Sequence, residues 1–299
     1  MTKEFTAATL LRYGLAMAVT TLFLLPIFWF ALISLRSVSD IFNRGDLIVF
    51  DFAPTLNNYR AVLLGTFPAD AGSKTATNAL IDFRSSIASI YDARPALLSS
   101  ALIALGSSVL TTTIAVLAAY ALSRFRPVYD KMLVLCLVLA RFVPAIAIVI
   151  PLVFIFHYLG LRDTHLGVML AHTVVNLPIA VLLLKSFFDE IPVETDAAAM
   201  IDGATRWQSF RYVVLPVAKG GVATTLIVCF IFSWTEFLLS LFLTSSIRTL
   251  PVQIALYSTQ SDWGYIAALG TSALVPGFVF ILCVQRHLAA GLTLGAVKG

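Results

Sequence analysis

Charge is scarce in this chain. Only 12% of its 299 residues are Asp, Glu, Lys or Arg, whereas a soluble globular domain carries about 25%. Cysteine is scarce too: there are three, all within apolar runs and without the spacing that holds a metal ion. Apolar residues make up 59% of the chain. This balance excludes a water-soluble domain and predicts an integral membrane protein.

The sequence also lacks several motifs of enzyme chemistry. It has no GxxxxGK[ST] loop to hold nucleotide phosphates, no HExxH metal motif and no GxSxG nucleophile motif. We therefore expect a non-catalytic chain with no metal or cofactor of its own, driven by energy from another chain. The net charge of +4 indicates orientation in a membrane, and no nucleic-acid partner is expected.

Long apolar runs are what the sequence has in abundance. A helix crosses the hydrocarbon core with about 20 apolar residues, and six runs reach that length: roughly 13–35, 96–122, 132–158, 166–188, 220–243 and 264–284. None alternates as a β-barrel strand does. The predicted fold class is an all-α membrane protein with six transmembrane helices.

Basic residues predict how these helices are oriented. Two Lys or Arg residues fall in the short loops on one side, and eleven on the other: Lys3, Arg12, Arg124, Arg126, Lys131, Lys185, Arg206, Arg211, Lys219, Arg286 and Lys298. Because Lys and Arg concentrate on the cytoplasmic side, both termini are expected there. The predicted parts of the chain are a cytoplasmic N-terminus (1–12), a first helix (13–35), an external loop (36–95), a five-helix core (96–284) and a cytoplasmic tail (285–299).

The external loop contains apolar residues at near-helical spacing: Leu80, Ile81, Ile87, Ile90 and Tyr91. This spacing predicts an amphipathic helix on the outer surface. Two interpretations stay open, since the helix could pack on the bundle or receive an external partner protein.

A polar, helix-forming stretch, 189–219, separates the fourth and fifth runs on the cytoplasmic side. Its apolar and long side chains recur every three or four residues, at Ala197, Met200, Ile201, Ala204, Trp207 and Arg211. That period predicts helices lying flat rather than spanning. Gly203 readily adopts the backbone angles of a turn, so two short helices joined by a corner are expected. We call 189–219 the coupling loop.

The coupling loop resembles the signature of ABC importer inner-membrane subunits, which reads Glu-Ala-Ala, three residues, Gly, nine residues, Ile-x-Leu-Pro. The matching stretch is "DAAAMIDGATRWQSFRYVVLP". Ala197 stands where the signature has Glu, so an ion pair from that Glu to the ATPase does not carry over, and docking would rest on the apolar face and the neighbouring acids. The resemblance implies an ATPase-coupling role for Glu194, Asp196, Ala197, Ala198, Met200, Asp202, Gly203, Ala204, Arg206, Leu215 and Pro216.

Further stretches resemble the carbohydrate-uptake branch, in particular the maltose-type G-like permease: "ARFVPAIAIVIPL", "FSWTEFLLSLFLT" and the tail "GLTLGAVKG". The resemblance implies a permease subunit of an ATP-driven, binding-protein-dependent sugar importer in a bacterial cytoplasmic (inner) membrane. Its implied partners are a second homologous permease, two copies of an ATPase that binds ATP and Mg, an external solute-binding protein and membrane lipid. Two alternatives stay open, namely a permease subunit of an ABC importer for a non-sugar solute and an ion-coupled secondary transporter.

The resemblance also implies that the tail contacts the ATPase through Gly291, Leu292, Thr293, Gly295 and Lys298. Within the runs, ionisable side chains are costly and usually face a cavity or a partner. Arg141 and Glu236 are therefore candidates either to pair with each other or to line a solute pathway. His172 and Asn176 lie four residues apart on one helix face, where they could bond a neighbouring helix or sugar hydroxyls.

Overall fold

The computed structural model describes residues 7–37, 40–41, 52–66, 92–125, 128–259 and 263–295. Within these ranges the chain forms helices and no strand, which confirms the predicted all-α class. The helices are α1 (Ala7–Ser34), α2 (Asn57–Leu64), α3 (Arg94–Phe125), α4 (Asp130–Ala140), α5 (Ala145–Tyr158), α6 (His165–Asp189), α7 (Val193–Ile201), α8 (Arg206–Ser209), α9 (Lys219–Trp234), α10 (Leu238–Leu243), α11 (Leu250–Thr259) and α12 (Trp263–Gly295).

Four of the described helices are long and apolar enough to cross a membrane by themselves: α1, α3, α6 and the first part of α12. Two pairs of helices reach that length together but are bent, α4 with α5 by 94° and the helical segment Arg206–Val217 with α9 by 74°. The structure therefore has four to six candidate spans, and the upper figure matches the six predicted runs.

The third predicted run, 132–158, is not one continuous helix. It ends at Ala140 and restarts at Ala145, with Pro144 before the second helix in an extended conformation, φ −58° and ψ 135°. Proline has no backbone N–H to donate, and it disfavours helical geometry at the residue before it. These two effects explain why an uninterrupted apolar run is nevertheless broken here.

The chain forms two compact units. The first contains residues 1–94 and 253–274. In it the end of α1 is attached to α2: Asn58 Nδ2 donates to the carbonyls of Ser34 and Arg36 at 2.9 and 2.8 Å. The Ser34 hydroxyl also bonds the Tyr59 hydroxyl at 2.7 Å. The predicted amphipathic helix of the external loop lies outside the described residues.

The second unit contains residues 95–252 and 275–299, and α3 contributes a long buried face to it. Small residues at three- or four-residue spacing form the buried face of α3: Ala96, Ser99, Ser100, Ala104, Ser107, Ser108, Thr111, Thr112, Ala115, Ala119 and Ser123. Small side chains let neighbouring helices approach closely, which is the usual basis of helix association in lipid.

Two apolar clusters form the core of this unit. One includes Val116, Leu184, Phe188, Phe210 and Val214. The other contains Ile103, Val149, Phe156, Val168, Ala171, Leu239 and Leu243. Buried polar side chains at intermediate positions of α3, α6 and α9 form what we call the polar belt, namely Ser107, Ser108, Thr111, Thr112, His172, Thr173, Asn176, Thr225 and Ser233.

Candidate functional site

The coupling loop folds as the predicted corner. Helix α7 ends at Ile201, and Gly203 adopts a left-handed φ of +90°. The backbone N–H of Ala204 then donates to the Ala199 carbonyl at 3.0 Å. Only glycine takes this conformation without steric cost, so the prediction of a break at Gly203 is confirmed.

The second arm of the corner begins with a capping box. The Gln208 backbone N–H donates to Thr205 Oγ1 at 3.3 Å, and the Thr205 backbone N–H donates to Gln208 Oε1 at 2.7 Å. Both N–H groups are free of helical partners at a helix start, so this reciprocal bonding fixes where α8 begins. The T-x-x-Q pattern of this capping box is visible in the sequence.

From α8 the chain continues through a π-helical turn, Phe210–Val214, and a short α-helical turn, Leu215–Val217. Pro216 has no backbone N–H, so the regular bonding pattern cannot run through it. The chain is bent by 74° after this segment, and the long helix α9 begins at Lys219.

Apolar side chains of the coupling loop point outward. Ile201 is 85% exposed, Tyr212 73%, Trp207 62% and Val193 50%. Ala197 and Ala198 lie on the same exposed side of α7, while Met200 and Ala204 are half-buried. Exposed apolar surface of this kind marks an interaction site.

The two acids of α7 face opposite ways. Glu194 is exposed, as a docking acid would need to be. Asp196 is 5% exposed and faces the interior of its own chain. The expectation that both acids would be available to a partner is therefore wrong for Asp196. Exposed positions on the second arm include Arg206, whose guanidinium lies 5.3 Å from the Phe125 ring centroid, and Asp202 is exposed at the corner.

Asp196 is held by three side chains. Arg124 Nε donates to Asp196 Oδ2 at 2.7 Å, and the exposures of the two side chains are 4% and 8%. The hydroxyls of Tyr120 and Ser209 donate to Asp196 Oδ1 at 2.9 and 3.3 Å. The coupling loop is thereby bonded to the end of α3 by a buried ion pair whose partners are 72 residues apart.

The same arginine reaches the end of α6. Arg124 Nη1 donates to the Phe188 carbonyl and Nη2 to the Ile191 carbonyl, both at 3.0 Å. Ser123 donates to Asp189 Oδ1 at 2.6 Å. We call the set of Tyr120, Ser123, Arg124, Asp189, Asp196 and Ser209 the anchor network.

Two pathway candidates, His172 and Glu236, meet in the polar belt. Glu236 Oε2 lies 3.2 Å from His172 Nε2, and the Glu236 carboxylate accepts the backbone N–H groups of Leu239 and Ser240 at 2.7 and 3.1 Å. It therefore caps α10. On the other side of the imidazole, Nδ1 lies 2.6 Å from the Ser233 hydroxyl.

A chain of polar contacts continues from His172 into α3. Ser107 Oγ lies 2.8 Å from Ser233 Oγ, and Ser233 Oγ lies 2.6 Å from His172 Nδ1. His172 therefore connects α6 to the break between α9 and α10.

Arg141 lies at the break between α4 and α5, and it does not pair with Glu236. Its Nη1 donates to the Val175 carbonyl at 3.4 Å, and its guanidinium carbon lies 5.4 Å from the Phe232 ring centroid. The described residues give it no carboxylate partner, and the side chain is exposed. The hypothesis that Arg141 and Glu236 pair is therefore wrong. Asn176, by contrast, is buried in the polar belt, 6% exposed.

The predicted tail contact is only partly covered by the structure. Helix α12 continues to Gly295, so Gly291, Leu292, Thr293 and Gly295 belong to its last turns rather than to a frayed end. Lys298 lies outside the described residues. Among those residues, no group of three or more His, Cys, Asp or Glu side chains could hold a metal ion.

With this geometry in view, comparison with known proteins identifies the class. Residues 111–294 match the family described as "Binding-protein-dependent transport system inner membrane component". The match covers more than half of the chain, so the chain belongs to this family. It is a non-catalytic permease subunit of an ABC importer, and membership implies, in general, a partner permease, an ATPase and a solute-binding protein.

Individual relatives agree. The trehalose transport system permease protein SugB of Mycobacterium tuberculosis is 36% identical over 287 residues, 92% of this chain and 93% of that protein. The sulfoquinovosyl glycerol transport system permease protein SmoH of Agrobacterium fabrum is 38% identical over 207 residues, 68% and 73% of the two chains. A bacterial ABC transporter structure, involved in alginate import, superposes with a TM-score of 0.70 at 17% identity over 96% of this chain and 98% of its own. That last likeness concerns the fold.

Proposed function

We propose that the coupling loop is where this permease receives its ATPase. The observation that carries the proposal is the outward apolar face of α7 and α8, with Ile201 85% and Trp207 62% exposed. A surface of that kind in water is stabilised when a partner covers it. The exposed Glu194 and Arg206 flank the face and would supply polar contacts at its rim.

The proposed arrangement has both termini and the coupling loop in the bacterial cytoplasm. The distribution of basic residues supports it, eleven on that side against two on the other. One copy of this chain would pair with a second, homologous permease, and two ATPase copies would bind ATP and Mg. The external solute-binding protein would deliver the solute from the opposite side.

The mechanism we propose is alternating access driven by the ATPase. ATP binds the closed ATPase dimer more tightly than the open one, and this differential affinity supplies the bias. Closure would carry the coupling loops toward each other and tilt the attached spans as rigid bodies from an inward-open to an outward-open state. The chain itself forms and breaks no covalent bond in this cycle.

Crosslinking tests the docking site. Single cysteines at Met200 and Arg206, in a chain whose three native cysteines are replaced by alanine, would be treated with a short thiol crosslinker in membranes that contain the whole complex. We expect both to capture the ATPase. A cysteine at the exposed Arg162, in the loop before α6, is the matched control and should not. Failure of both loop positions to capture the ATPase would refute the proposal.

We further propose that the solute is a sugar or a sugar derivative. Support comes from the named substrates of relatives, trehalose for SugB and sulfoquinovosyl glycerol for SmoH. The polar belt is compatible with such a solute, since hydroxyl, amide and imidazole groups are the side chains that hydrogen-bond sugar hydroxyls. Both neutral and anionic sugars stay within the proposal.

Mass spectrometry tests the substrate class. The cognate solute-binding protein would be purified gently and its bound solute released and identified. Uptake of that solute by cells that express the complete complex would then be measured, with an ATPase-inactive complex as the control. A sugar or sugar derivative that accumulates only with the active complex is the expected result. An amino acid, peptide or metal ion in the binding protein would contradict the sugar assignment.

A further inference from the structure

The anchor network contains an ion pair between two buried side chains, and burial makes charges energetically costly. Burying two charges away from water carries a desolvation penalty that their attraction only partly offsets. Arg124 and Asp196 nevertheless have side chains 4% and 8% exposed, joined at 2.7 Å. An apolar contact of similar size would hold two helices together at less cost, so stability alone does not account for the charges.

The ionic bond fixes the relative orientation of the segments that it joins. The planar guanidinium of Arg124 donates to three groups at once. Its Nε donates to Asp196 of α7, and its two terminal nitrogens donate to the carbonyls of Phe188 in α6 and of Ile191 in the link between α6 and α7. Such a fork holds its partners at fixed angles, whereas apolar side chains can slide past each other. The coupling loop is thus fixed in orientation to the ends of α3 and α6.

The network continues to a fourth helix. Ser123 donates to Asp189 at 2.6 Å, and Lys185 lies 2.8 Å from Asp189 and 4.0 Å from Asp130 at the start of α4. The ends of α3, α4 and α6 and the coupling loop are therefore joined by one continuous set of polar contacts. All these residues belong to the second compact unit.

We infer that Arg124 is a positioning residue for energy coupling: it ties the coupling loop to the spans, so that a displacement of the loop becomes a displacement of α3 and α6. This inference rests on the proposed docking of the ATPase to the loop. It assigns Asp196 a role inside the chain, distinct from the docking role of the exposed face. Docking and transmission are then separable properties.

The first test removes the guanidinium. In Arg124→Gln the loop keeps its exposed face but loses the fixed bond to α3. In the reconstituted complex we expect basal ATP hydrolysis to persist. The binding protein is added as purified from the native host with its own solute. Its stimulation of ATP hydrolysis should decrease by a factor of between about 2 and about 30, the range of coupling effects from residues that contact neither ligand.

A matched control exists on the same helix. Arg94 begins α3 and forms an ion pair with Asp92 at 2.8 Å, but the Arg94 side chain is 56% exposed. Exposed pairs contribute little, and this one lies at the opposite end of α3 from the coupling loop. Arg94→Gln should therefore leave basal hydrolysis and ATPase capture at Met200→Cys unchanged.

The second test replaces the ionic bond by a covalent one. In the cysteine-free background, Arg124→Cys with Asp196→Cys should lose stimulation as Arg124→Gln does. A cleavable dithiol-reactive reagent with an arm as long as the two lost side chains should restore it, and reduction should abolish it again. A residue needed only for folding would show no such reversible rescue.

The outcomes separate this inference from the proposed function. Crosslinking from Met200→Cys to the ATPase is measured in the native and the Arg124→Gln complexes. Capture in both, with stimulation lost only in the variant, supports transmission through Arg124. Loss of capture in the variant, or full stimulation without Arg124, overturns the inference. Absence of capture in the native complex overturns the docking proposal instead.

Discussion

Two acids on one short helix allow a direct test of which way the coupling loop faces. Glu194 and Asp196 are two residues apart on α7, and a sequence pattern treats them alike. The structure exposes Glu194 to solvent and buries Asp196 against Arg124, Tyr120 and Ser209. The two substitutions that remove these charges, Glu194→Gln and Asp196→Asn, should therefore differ in their effect on stability and on capture of the ATPase.

The magnitudes follow from burial. Asp196→Asn leaves Arg124 as a buried cation without a carboxylate, and removing one partner of a buried pair costs about 3 to 5 kcal/mol. Because Arg124 retains the carbonyls of Phe188 and Ile191, we expect the lower end, about 3 kcal/mol. Glu194→Gln changes a solvated side chain and should alter the free energy of unfolding by less than about 0.5 kcal/mol.

Thermal unfolding of the purified chain in lipid nanodiscs measures this difference. For a folded unit of this size, about 3 kcal/mol corresponds to a fall in Tm of roughly 6 to 12 °C, so Asp196→Asn should lie well below the native chain and Glu194→Gln beside it. ATPase capture at Met200→Cys supplies the complementary reading, and should weaken for Glu194→Gln. Equal Tm values for the two variants would show that the buried pair does not form.

Other positions give further expectations. A Cβ at Gly221 would lie 2.4 Å from Phe187 Cγ, so Gly221→Ala should lower stability by about 1 to 2 kcal/mol. At Gly277, no atom of the described residues lies within 4 Å of an added Cβ, and Gly277→Ala should raise stability by about 0.5 kcal/mol. Thermal unfolding compares the pair, and equal shifts would contradict the close packing. Asp163 accepts hydrogen bonds from residues 245–247, which lower its pKa. The bonds should contribute fully above about pH 4 and less as the pH falls further. Asp163→Asn should therefore lower the free energy of unfolding by about 1 kcal/mol near pH 7 and make stability less sensitive to acid below pH 4. Parallel profiles of stability against pH for the native chain and the variant would refute this expectation.

The corner of the coupling loop was predictable from the sequence because its determinants are local. Gly203 supplies the left-handed backbone, and the capping box of Thr205 and Gln208 lies within four residues. Apolar runs of sufficient length likewise mark candidate spans without knowledge of what surrounds them. Such features depend on neighbours along the chain, which a sequence displays directly.

The orientation of Asp196 was not predictable in the same way. Its principal partner, Arg124, is 72 residues away, and in the sequence that arginine counted only as one of eleven basic residues that orient the chain. The period of α7 predicts an apolar face, but it does not tell which side of the helix faces water. The break at 141–144 is not apparent from hydropathy for a related reason. A hydropathy average spreads the contribution of Pro144 over the whole apolar run, whereas the helix is interrupted just before that residue.

Taken together, the two faces of α7 invert the arrangement of a solitary soluble helix. A helix at the surface of a water-soluble protein buries its apolar stripe and hydrates its charges. Here Asp196 is buried on an arginine, and Ile201 is 85% exposed. Each half of this inversion is unfavourable by itself, the first through desolvation and the second through exposed apolar surface. Coverage of the outer face by the proposed ATPase would remove the second cost, and the inner ionic bond would then fix the covered surface to the spans. Under the proposed function, this arrangement suits a loop that receives a partner on one side and holds the spans on the other.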